Sequence, residues 1–512
     1  MFEMRKYGKL DIRDVTGLVR NLLLALMLLF IVGNTSEKKP NIVFVLGDDI
    51  NQDSWGTYGN IDCKTPNIDK LAVEGMKFNS AYCSMAMCAP FRHELYSGRT
   101  PWRTQTMFNH SGAVPETKSW PHYLEPLGYR VALMGKKHVV PGGCYPFENL
   151  NKGGPKKKSN EWFIQQTTQF IDSSTEQDKP FCLVIASSDA HLPFTSGDPS
   201  AYKADELTIP PYWLDTPELR EVLVTYYAEV TNFDSLVGDV RSLLETKNIW
   251  DNTVFFVCGE QGTRLPLAKW TCYDNGLRSG LIAHWKGVTP PGSVVDELIA
   301  TLDIGPTLVE IAGGTVETGA FDGFSIFPTL KGEKQVVRDY VYGAFTNVGI
   351  AGSDGFLFPI RVIRNREYSF IYNPNYTTPT TNAGVGVALK MLEDKSYSPK
   401  KPNIVSSWVE LGRKDPAAQS IARKLTHRPE YELYHLSRDP YELKNEIDNP
   451  EYKKVSENMK AAMMKKLNEL GDGDPIATEE GIRARKAAKH GDSDKKKKKK
   501  EKKKNKKNRP CP

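Results

Sequence analysis

Four short, largely apolar runs are spread along the first half of the chain, and each of them ends in polar residues. The runs cover residues 41–46, 129–134, 181–186 and 253–257. Continuous apolar runs of this length are typical of strands that are buried on both faces of a parallel sheet. Helical patterns lie between them, the longest at 217–246. The alternation predicts an α/β fold in which helices flank a large mixed, mostly parallel sheet.

The pattern changes beyond about residue 340, where shorter apolar segments are separated by turns. Segments at 340–342, 356–358, 361–364 and 368–372 have the length and composition of short strands. A helix-like pattern follows at 457–467. We therefore predict a smaller C-terminal α+β domain that is built on an antiparallel sheet.

Length and charge extend this picture. A chain of 512 residues exceeds one typical core, so a large domain with an appendage or two domains are expected. The net charge of +6 arises from residues 495–512, which carry +11, so the rest of the chain carries −5. A mildly acidic body argues against a nucleic-acid-binding core. Like-charge repulsion predicts a disordered tail.

The predicted organisation therefore has four parts. They are a leader at 1–36, a main domain at 39–340, a C-terminal domain at 341–470 and a disordered lysine-rich tail at 471–512. In the leader, basic residues precede an apolar run at 22–33 that is shorter than the ~20 residues of a membrane span. This predicts a signal peptide and a secreted or periplasmic protein, with an uncleaved anchor at 21–33 as the alternative.

Oxygen-bearing side chains directly follow two of the predicted strands. Asp48 and Asp49 follow the first run, and Glu260 and Gln261 follow the fourth. In open α/β sheets, ligands bind beyond the carboxyl ends of the strands. A single acid at such a place is commonly a turn residue, but two matched pairs favour a metal site. The oxygen-only donor set predicts Ca²⁺, and Mg²⁺ is compatible with it.

Cys88 begins a segment that resembles a helix ending at Gly98. Pro90 is favoured in the first turn of a helix, where its missing N–H costs nothing. Free N–H groups and the helix dipole favour an anion at this end, and Arg92 lies one turn further on. The pattern predicts a reactive sulfur, or a derivative of it, beside an anion site. A buried structural cysteine is the alternative.

The residues around Cys88 resemble the signature of the type I sulfatases, a family with the alkaline phosphatase-like fold. Cys88, Pro90 and Arg92 match that signature, as does the Ser-Gly-Arg ending at 97–99, whereas Phe91 replaces the usual Ser or Ala. The resemblance implies that Cys88 is oxidised after translation to Cα-formylglycine (3-oxoalanine). It also implies a partner for that step, a formylglycine-generating or anaerobic maturation enzyme.

Four cationic residues also resemble sulfatase motifs in their order along the chain. They are Lys136 and His138 in GKKH, His191 in DAHLPF, and Lys269 in LAKWTCYDNG. The resemblance implies that Lys136 and Arg92 hold the nucleophile and the sulfate, and that His138 assists deprotonation. It further implies that His191 or Lys269 protonates the leaving alcohol.

The metal-binding residues of this chain depart from the family pattern at both late positions. The resembled family has Asp followed by Asn or His there, and this chain has Glu260 followed by Gln261. Each replacement still offers an oxygen donor, and relative to Asp and Asn each arm is one methylene longer. The implied site is therefore shifted but retains four oxygen-bearing side chains.

These observations predict hydrolysis of sulfate esters by a formylglycine nucleophile and a divalent metal. The KWTCYDN run resembles those of bacterial carbohydrate sulfatases, so a sulfated saccharide is the expected substrate. One alternative is a phosphate or phosphonate monoester hydrolase of the same superfamily. The other is a catalytically impaired homologue that binds glycans, which the departures at 91, 260 and 261 suggest.

Overall fold

A computed structural model describes residues 38–151, 154–155, 158–353 and 356–487. The predicted leader at 1–36 and the lysine-rich run at 495–512 lie outside these residues. The strands, in chain order, are β1 (Asn41–Asp48), β2 (Met76–Phe78), β3 (Ala81–Tyr82), β4 (Arg130–Gly135), β5 (Glu148–Asn149), β6 (Phe181–Ala186), β7 (Thr253–Glu260), β8 (Leu281–His284), β9 (Ser293–Val295), β10 (Ile299–Ala300), β11 (Val341–Phe345), β12 (Ile360–Arg364), β13 (Tyr368–Tyr372) and β14 (Tyr431–His435). The α-helices are α1 (Pro66–Glu74), α2 (Cys88–Ser97), α3 (Pro101–Thr104), α4 (Trp120–Leu124), α5 (Asn160–Glu176), α6 (Pro217–Thr246), α7 (Asp274–Leu277), α8 (Ile304–Ile311), α9 (Phe327–Leu330), α10 (Gly386–Glu393), α11 (Ile404–Gly412), α12 (Pro416–Lys424) and α13 (Lys453–Glu469).

In the described part of the chain, eight strands form one mixed sheet in the order β5-β4-β6-β1-β7-β8-β2-β9. Strand β1 lies between β6 and β7 and pairs in parallel with both. Strand β8 is antiparallel to both of its neighbours, and the remaining neighbouring pairs are parallel. The predicted large, mostly parallel sheet is confirmed.

Helices cover both faces of the sheet at the central strand. The ring of Phe44 contacts Trp120 of α4 on one face, with 5.5 Å between ring centroids. A Cβ placed at Gly47 would lie 3.2 Å from Phe233 of α6, which packs on the opposite face. Successive side chains of a strand alternate between faces, so one strand contacts both helical layers. Burial on both faces explains why the predicted strands are continuous apolar runs.

The C-terminal region contains a separate antiparallel sheet in the order β11-β12-β13-β14. Met459, Met463 and Leu467 of α13 pack on this sheet, which confirms the predicted α+β arrangement. The strand predicted at 356–358 is wrong, because Pro359 follows it and the Phe356 carbonyl accepts hydrogen bonds from Asn347 and Arg483. Helices α10 to α12, between β13 and β14, are absent from the sequence-based prediction.

The limit predicted for the disordered tail is also corrected. Residues 475–487 are helical, and Ile482 and Glu479 on this helix are 1% and 0% exposed. Just before the helix, Asp472 forms a buried ion pair with Arg361 at 2.5 Å. Burial and pairing offset the entropy cost of ordering, which composition alone does not reveal. The other domain limits stay predictions.

Two further features concern the described residues as a whole. No helix in them is both long enough and apolar enough to span a bilayer. Their cysteines are all buried and free, so no disulfide joins any two of them.

Candidate active site

The oxygen-bearing residues of the predicted metal site lie together at the carboxyl ends of two paired strands. Asp48 of β1 is the register partner of Glu260 of β7. The residue that directly follows each strand has a positive φ, 58° at Asp49 and 31° at Gln261. This left-handed conformation is uncommon for residues other than glycine and turns both side chains away from the strand direction. All four residues are 0% exposed.

Helix α2 places Cys88 at this cluster. The helix begins at Cys88 and ends at Gly98, whose φ of 62° allows its N–H to donate to the Glu94 carbonyl. The Cys88 Sγ lies 2.8 Å from Lys269 Nζ, 3.5 Å from Gln261 Nε2 and 3.6 Å from Asp49 Oδ1. Residues that are 39 to 181 positions apart in the chain therefore share one site.

Each of the three carboxylates is paired with a cation. Arg92 contacts Glu260 through two bonds, with Nε to Oε1 at 3.2 Å and Nη2 to Oε2 at 2.5 Å. Lys269 Nζ lies 2.6 and 2.7 Å from the two oxygens of Asp49. Lys136 forms a short hydrogen bond to Asp48. Each buried carboxyl group of the cluster thus has a cationic partner, as isolated buried charges would be too costly.

The cluster shifts the pKa values of its members in opposite directions. Burial opposes ionisation of Cys88, but Lys269 and Lys136 outweigh it and hold the pKa of the thiol well below its usual range. Burial likewise opposes ionisation of Asp48, and Lys136 holds the pKa of that carboxyl below its ordinary value. Burial and the sulfur of Cys88 raise the pKa of Asp49 to about 6. The lowered pKa values of Cys88 and Asp48 follow from the lysines beside them, whereas the raised pKa of Asp49 follows from its burial next to the sulfur.

Histidines form the wall beside the cluster. His191 Nε2 lies 3.8 Å from Asp49 Oδ2, and its Nδ1 lies 2.7 Å from the Leu192 carbonyl. The carbonyl can only accept, so Nδ1 carries a proton. The sulfur of Cys88, together with Asp49, raises the pKa of His191 although burial opposes this. His138 Nε2 lies 2.8 Å from Nδ1 of His110, a residue that sequence reasoning missed.

The donor set fits a divalent cation. Asp48 Oδ1 and Gln261 Oε1 are buried oxygens without a hydrogen-bond partner among the described residues. Ligand atoms of Asp48, Cys88 and Glu260 lie within 4.8 Å of one another, as do those of Asp49, Cys88 and His191. The carboxylate and amide oxygens among these residues are the hard donors that Ca²⁺ and Mg²⁺ prefer. Glu260 and Asp49 contribute less freely than Asp48 and Gln261, because Arg92 binds both oxygens of Glu260 and Lys269 binds both oxygens of Asp49.

A cavity of about 640 Å³ opens above the cluster. The structure brings the ten predicted site residues to this cavity or directly beneath it. The further lining residues, which the sequence-based prediction did not include, are Asn109, His110, Ser188, Asp189, Leu192, Pro193, Thr195, Ser196, Glu229, Arg264, Trp270, Gly349, Ile350 and Ala351. Apart from Glu229 of α6, the missed residues lie on loops, and their one sequence signal is proximity to a motif, as for Arg264 and Trp270 near Lys269.

Comparison with known proteins places this geometry in a family. A family model described as Sulfatase matches residues 40–314. The chain is 32% identical to an ulvan-active sulfatase of Formosa agariphila over 462 residues, covering 88% of this chain and 86% of the relative.

Solved structures show the same fold at lower identity. One was determined in complex with its substrate D-glucosamine-2-N,6-O-disulfate; it has a TM-score of 0.65 at 18% identity and covers 86% of this chain and 99% of its own. Another is a phosphonate monoester hydrolase of Agrobacterium radiobacter, with a TM-score of 0.62 at 17% identity and coverage of 84% and 95%. The fold is therefore shared by proteins with different named activities.

Proposed function

The chain belongs to the sulfatase family, and we propose that this sulfuric ester hydrolase acts on a sulfated carbohydrate with Cys88 as the precursor of its nucleophile. One observation carries the proposal: the Cys88 Sγ lies 2.8 Å from Lys269 and 3.6 Å from Asp49 at the floor of an open cavity. A buried structural cysteine needs neither cations nor an open cavity. The 32% identity to an ulvan-active sulfatase supports a polysaccharide as the source of the ester.

Two groups complete the proposed site. Cys88 is converted by a maturation enzyme to formylglycine, which supplies an oxygen nucleophile in place of the thiol. A divalent cation, Ca²⁺ by the donor set, is held by Asp48, Asp49, Gln261 and Glu260 and stabilises negative charge on the sulfate.

The charges of the chain's own residues suit an anionic ester. The three carboxylates and three cations of the cluster cancel, so a bound divalent ion leaves the pocket with an excess of positive charge. Lys136 and Lys269 approach from different segments and are buried or half-buried, which strengthens their attraction for an anion. Arg92 contacts Glu260 and lies 3.8 Å from Asp48, so its role is to position the carboxylates.

Proton transfer falls to the histidines of the wall. His191 faces the cavity with Nε2, and Cys88 and Asp49 raise the pKa of its ring, which suits it to donate a proton to a leaving alcohol. His138 has a buried Nδ1 without a partner among the described residues, while its Nε2 contacts His110. We assign the proton to Nε2, which leaves Nδ1 free to accept a proton from the nucleophile.

The test is direct. Protein from a host with a formylglycine-generating system should show an aldehyde at residue 88 by mass spectrometry of the peptide. It should release sulfate from an aryl sulfate faster than it releases phosphate or phosphonate from the matching aryl esters. Faster phosphonate release would favour the rival hydrolase. An unmodified thiol with no turnover would favour the glycan-binding reading.

A further inference from the structure

Arg264 lies in the active-site cavity and has no acidic partner among the residues that the structure describes. No side chain or backbone oxygen of the described residues binds its guanidinium in an ion pair or hydrogen bond, and the group instead lies 4.9 Å from the centre of the Trp270 ring. Arg92 of the same site is, by contrast, bound to the carboxylate of Glu260. A partly exposed guanidinium that lies on an aromatic face and has no partner among the described residues is preorganised to bind an anion. It can donate two parallel N–H hydrogen bonds to the paired oxygens of such a group.

The loop that carries Arg264 is fixed to the catalytic cluster. Lys269 N–H donates to the Thr263 carbonyl at 2.9 Å and closes the loop, while Thr263 N–H donates to Asn51 Oδ1 at 2.6 Å. Trp270 N–H donates to the Ala86 carbonyl at 3.1 Å. Gly262 at its start is required, since a Cβ there would lie 1.8 Å from the Asn275 carbonyl. The same loop therefore holds Lys269 at the sulfur and Arg264 beside it.

A second cavity continues from the first at this loop. It has a volume of about 560 Å³ and shares Leu192, Arg264, Lys269 and Trp270 with the cavity above Cys88. Val385, just before α10, and Ile404 at the start of α11 also line it. The two spaces together exceed what one sulfated sugar fills, because ligand pockets of several hundred Å³ suit a whole small ligand.

Charge is unevenly placed around the second cavity. Glu218 and Glu221 line it together with the cations Arg264, Lys269 and Arg428. An anionic substituent is repelled by the glutamates and attracted by the cations. Two of the three cations, Arg264 and Lys269, also line the cavity above Cys88, so they favour an anion at the end nearest the catalytic cluster. The glutamates suit neutral hydroxyl groups, for which carboxylates are strong acceptors.

We propose that Arg264, stacked on Trp270, binds an anionic substituent on the sugar next to the one that carries the cleaved sulfate ester. The inference rests on the proposed function and makes it more specific. The substrate is a saccharide of at least two residues whose second sugar carries a carboxylate or a further sulfate ester. Both groups offer the paired oxygens that a guanidinium recognises.

Binding to an inactive protein tests this without any turnover. The Cys88→Ala protein is titrated in Ca²⁺-containing buffer with three size-matched sulfated disaccharides whose second sugar carries a carboxylate, a sulfate ester or neither. A charge-assisted hydrogen bond implies that one or both charged ligands bind roughly ten- to hundredfold more tightly than the neutral one. The arm with the tighter binding identifies which anion is recognised.

The variants separate recognition from general damage. Adding Arg264→Gln should reduce binding of the preferred charged ligand to that of the neutral one, whereas Arg264→Lys should retain part of the preference. Arg366→Gln, on an arginine whose side chain is 60% exposed, is the matched control and should leave the preference intact. A preference that survives both Arg264 variants, or three ligands that bind alike, overturns the inference.

The active protein distinguishes this failure from failure of the proposed function. If all three disaccharides release sulfate with similar kcat/KM, and Arg264→Gln does not change the ratio of these kcat/KM values, the protein is a sulfatase but the proposed anion subsite is wrong. If the charged ligands bind more tightly but none of the three disaccharides releases sulfate, the anion subsite is supported and the proposed reaction is wrong.

Discussion

The floor and the wall of the active-site cavity are built from different kinds of secondary structure. The floor consists of strand ends, the first turn of a helix and one buried lysine of the 261–270 loop, and its members Asp48, Asp49, Cys88, Glu260 and Lys269 are at most 6% exposed. The wall consists of loops, and His138, His191, Arg264 and Trp270 are each partly exposed. Regular elements hold reacting groups in place to within roughly 0.5 Å, whereas loops differ more between related proteins and so determine which substrate groups are contacted. We therefore expect floor variants to change the rate of reaction most and wall variants to change which substrate is used.

The largest effect is expected from Cys88→Ala on the floor. Removal of the nucleophile precursor should lower kcat for sulfate release by at least about 10⁴-fold, because little catalysis survives loss of a nucleophile. Steady-state kinetics measure this, and far-UV circular dichroism should be unchanged.

Cys83→Ala is the matched control for that variant. Cys83 is also buried and free, but burial and Glu94 raise the pKa of its thiol. Its loss should leave kcat within a few-fold of the parent. Equal damage from both substitutions would remove the special status of Cys88.

Asp49→Asn, also on the floor, comes next. The change removes one metal oxygen charge and the partner of Lys269, so kcat/KM should fall by roughly hundredfold or more. A chelator should lower the Tm of the parent, because a bound ion stabilises the folded state, and should lower that of Asp49→Asn much less.

The exposed pair of Asp251 and Lys286 supplies the control for metal removal. Asp251→Asn should respond to the chelator as the parent does, since Asp251 is 68% exposed and pairs with Lys286 at the surface. If the parent itself shows no change in Tm on chelation, the four-residue metal site is wrong.

A smaller effect is expected from His110→Phe on the wall. His110 contacts His138 at 2.8 Å, and burial lowers the pKa of His110, so it is a neutral acceptor for His138 near pH 7. Its loss should lower kcat/KM roughly tenfold and alter the pH–rate profile, because the tautomer of His138 is no longer fixed. His427→Phe, at a histidine bonded to Thr426, should change neither quantity. An unchanged pH profile in His110→Phe would contradict the positioning role.

The smallest effect on catalysis is expected beneath the floor, at Glu94. Burial raises the pKa of this carboxyl from 4.5 to about 7. The folded protein therefore retains a proton that the unfolded chain has already lost, and the free energy of unfolding falls as the pH rises from about 4.5 to about 7. Glu94→Gln should flatten this dependence and leave kcat nearly unchanged. Urea denaturation at pH 5 and pH 7.5 measures it, and parallel losses in parent and variant would refute it.

The floor was largely predictable because its signals are local. Short segments of the sequence are enough to show two acids at the end of an apolar run and a cysteine shortly before Pro90. What sequence reasoning did not anticipate is that Glu260 is paired with Arg92. The longer arm of Glu260 reaches the guanidinium, a contact between residues 168 positions apart.

The wall was not predictable to the same extent. His110 and Arg264 belong to no motif, and only the folded loops bring them to the cavity. Helices α10 to α12 carried signals that were overlooked, such as the capping residue Asn403 before the apolar residues of α11. Asp415 before Pro416 is a second such signal at the start of α12.

The sequence by itself determined the α/β architecture, the sulfatase family, and the residues at which strands and a helix present reactive side chains. These depend on hydrophobic periodicity and on short motifs, which act over a few residues. Only the tertiary structure decided which cation faces which carboxylate and where Arg264 lies relative to Cys88. The three pairings join residues 88, 168 and 220 positions apart, and their geometry depends on how whole layers pack, which no local pattern encodes.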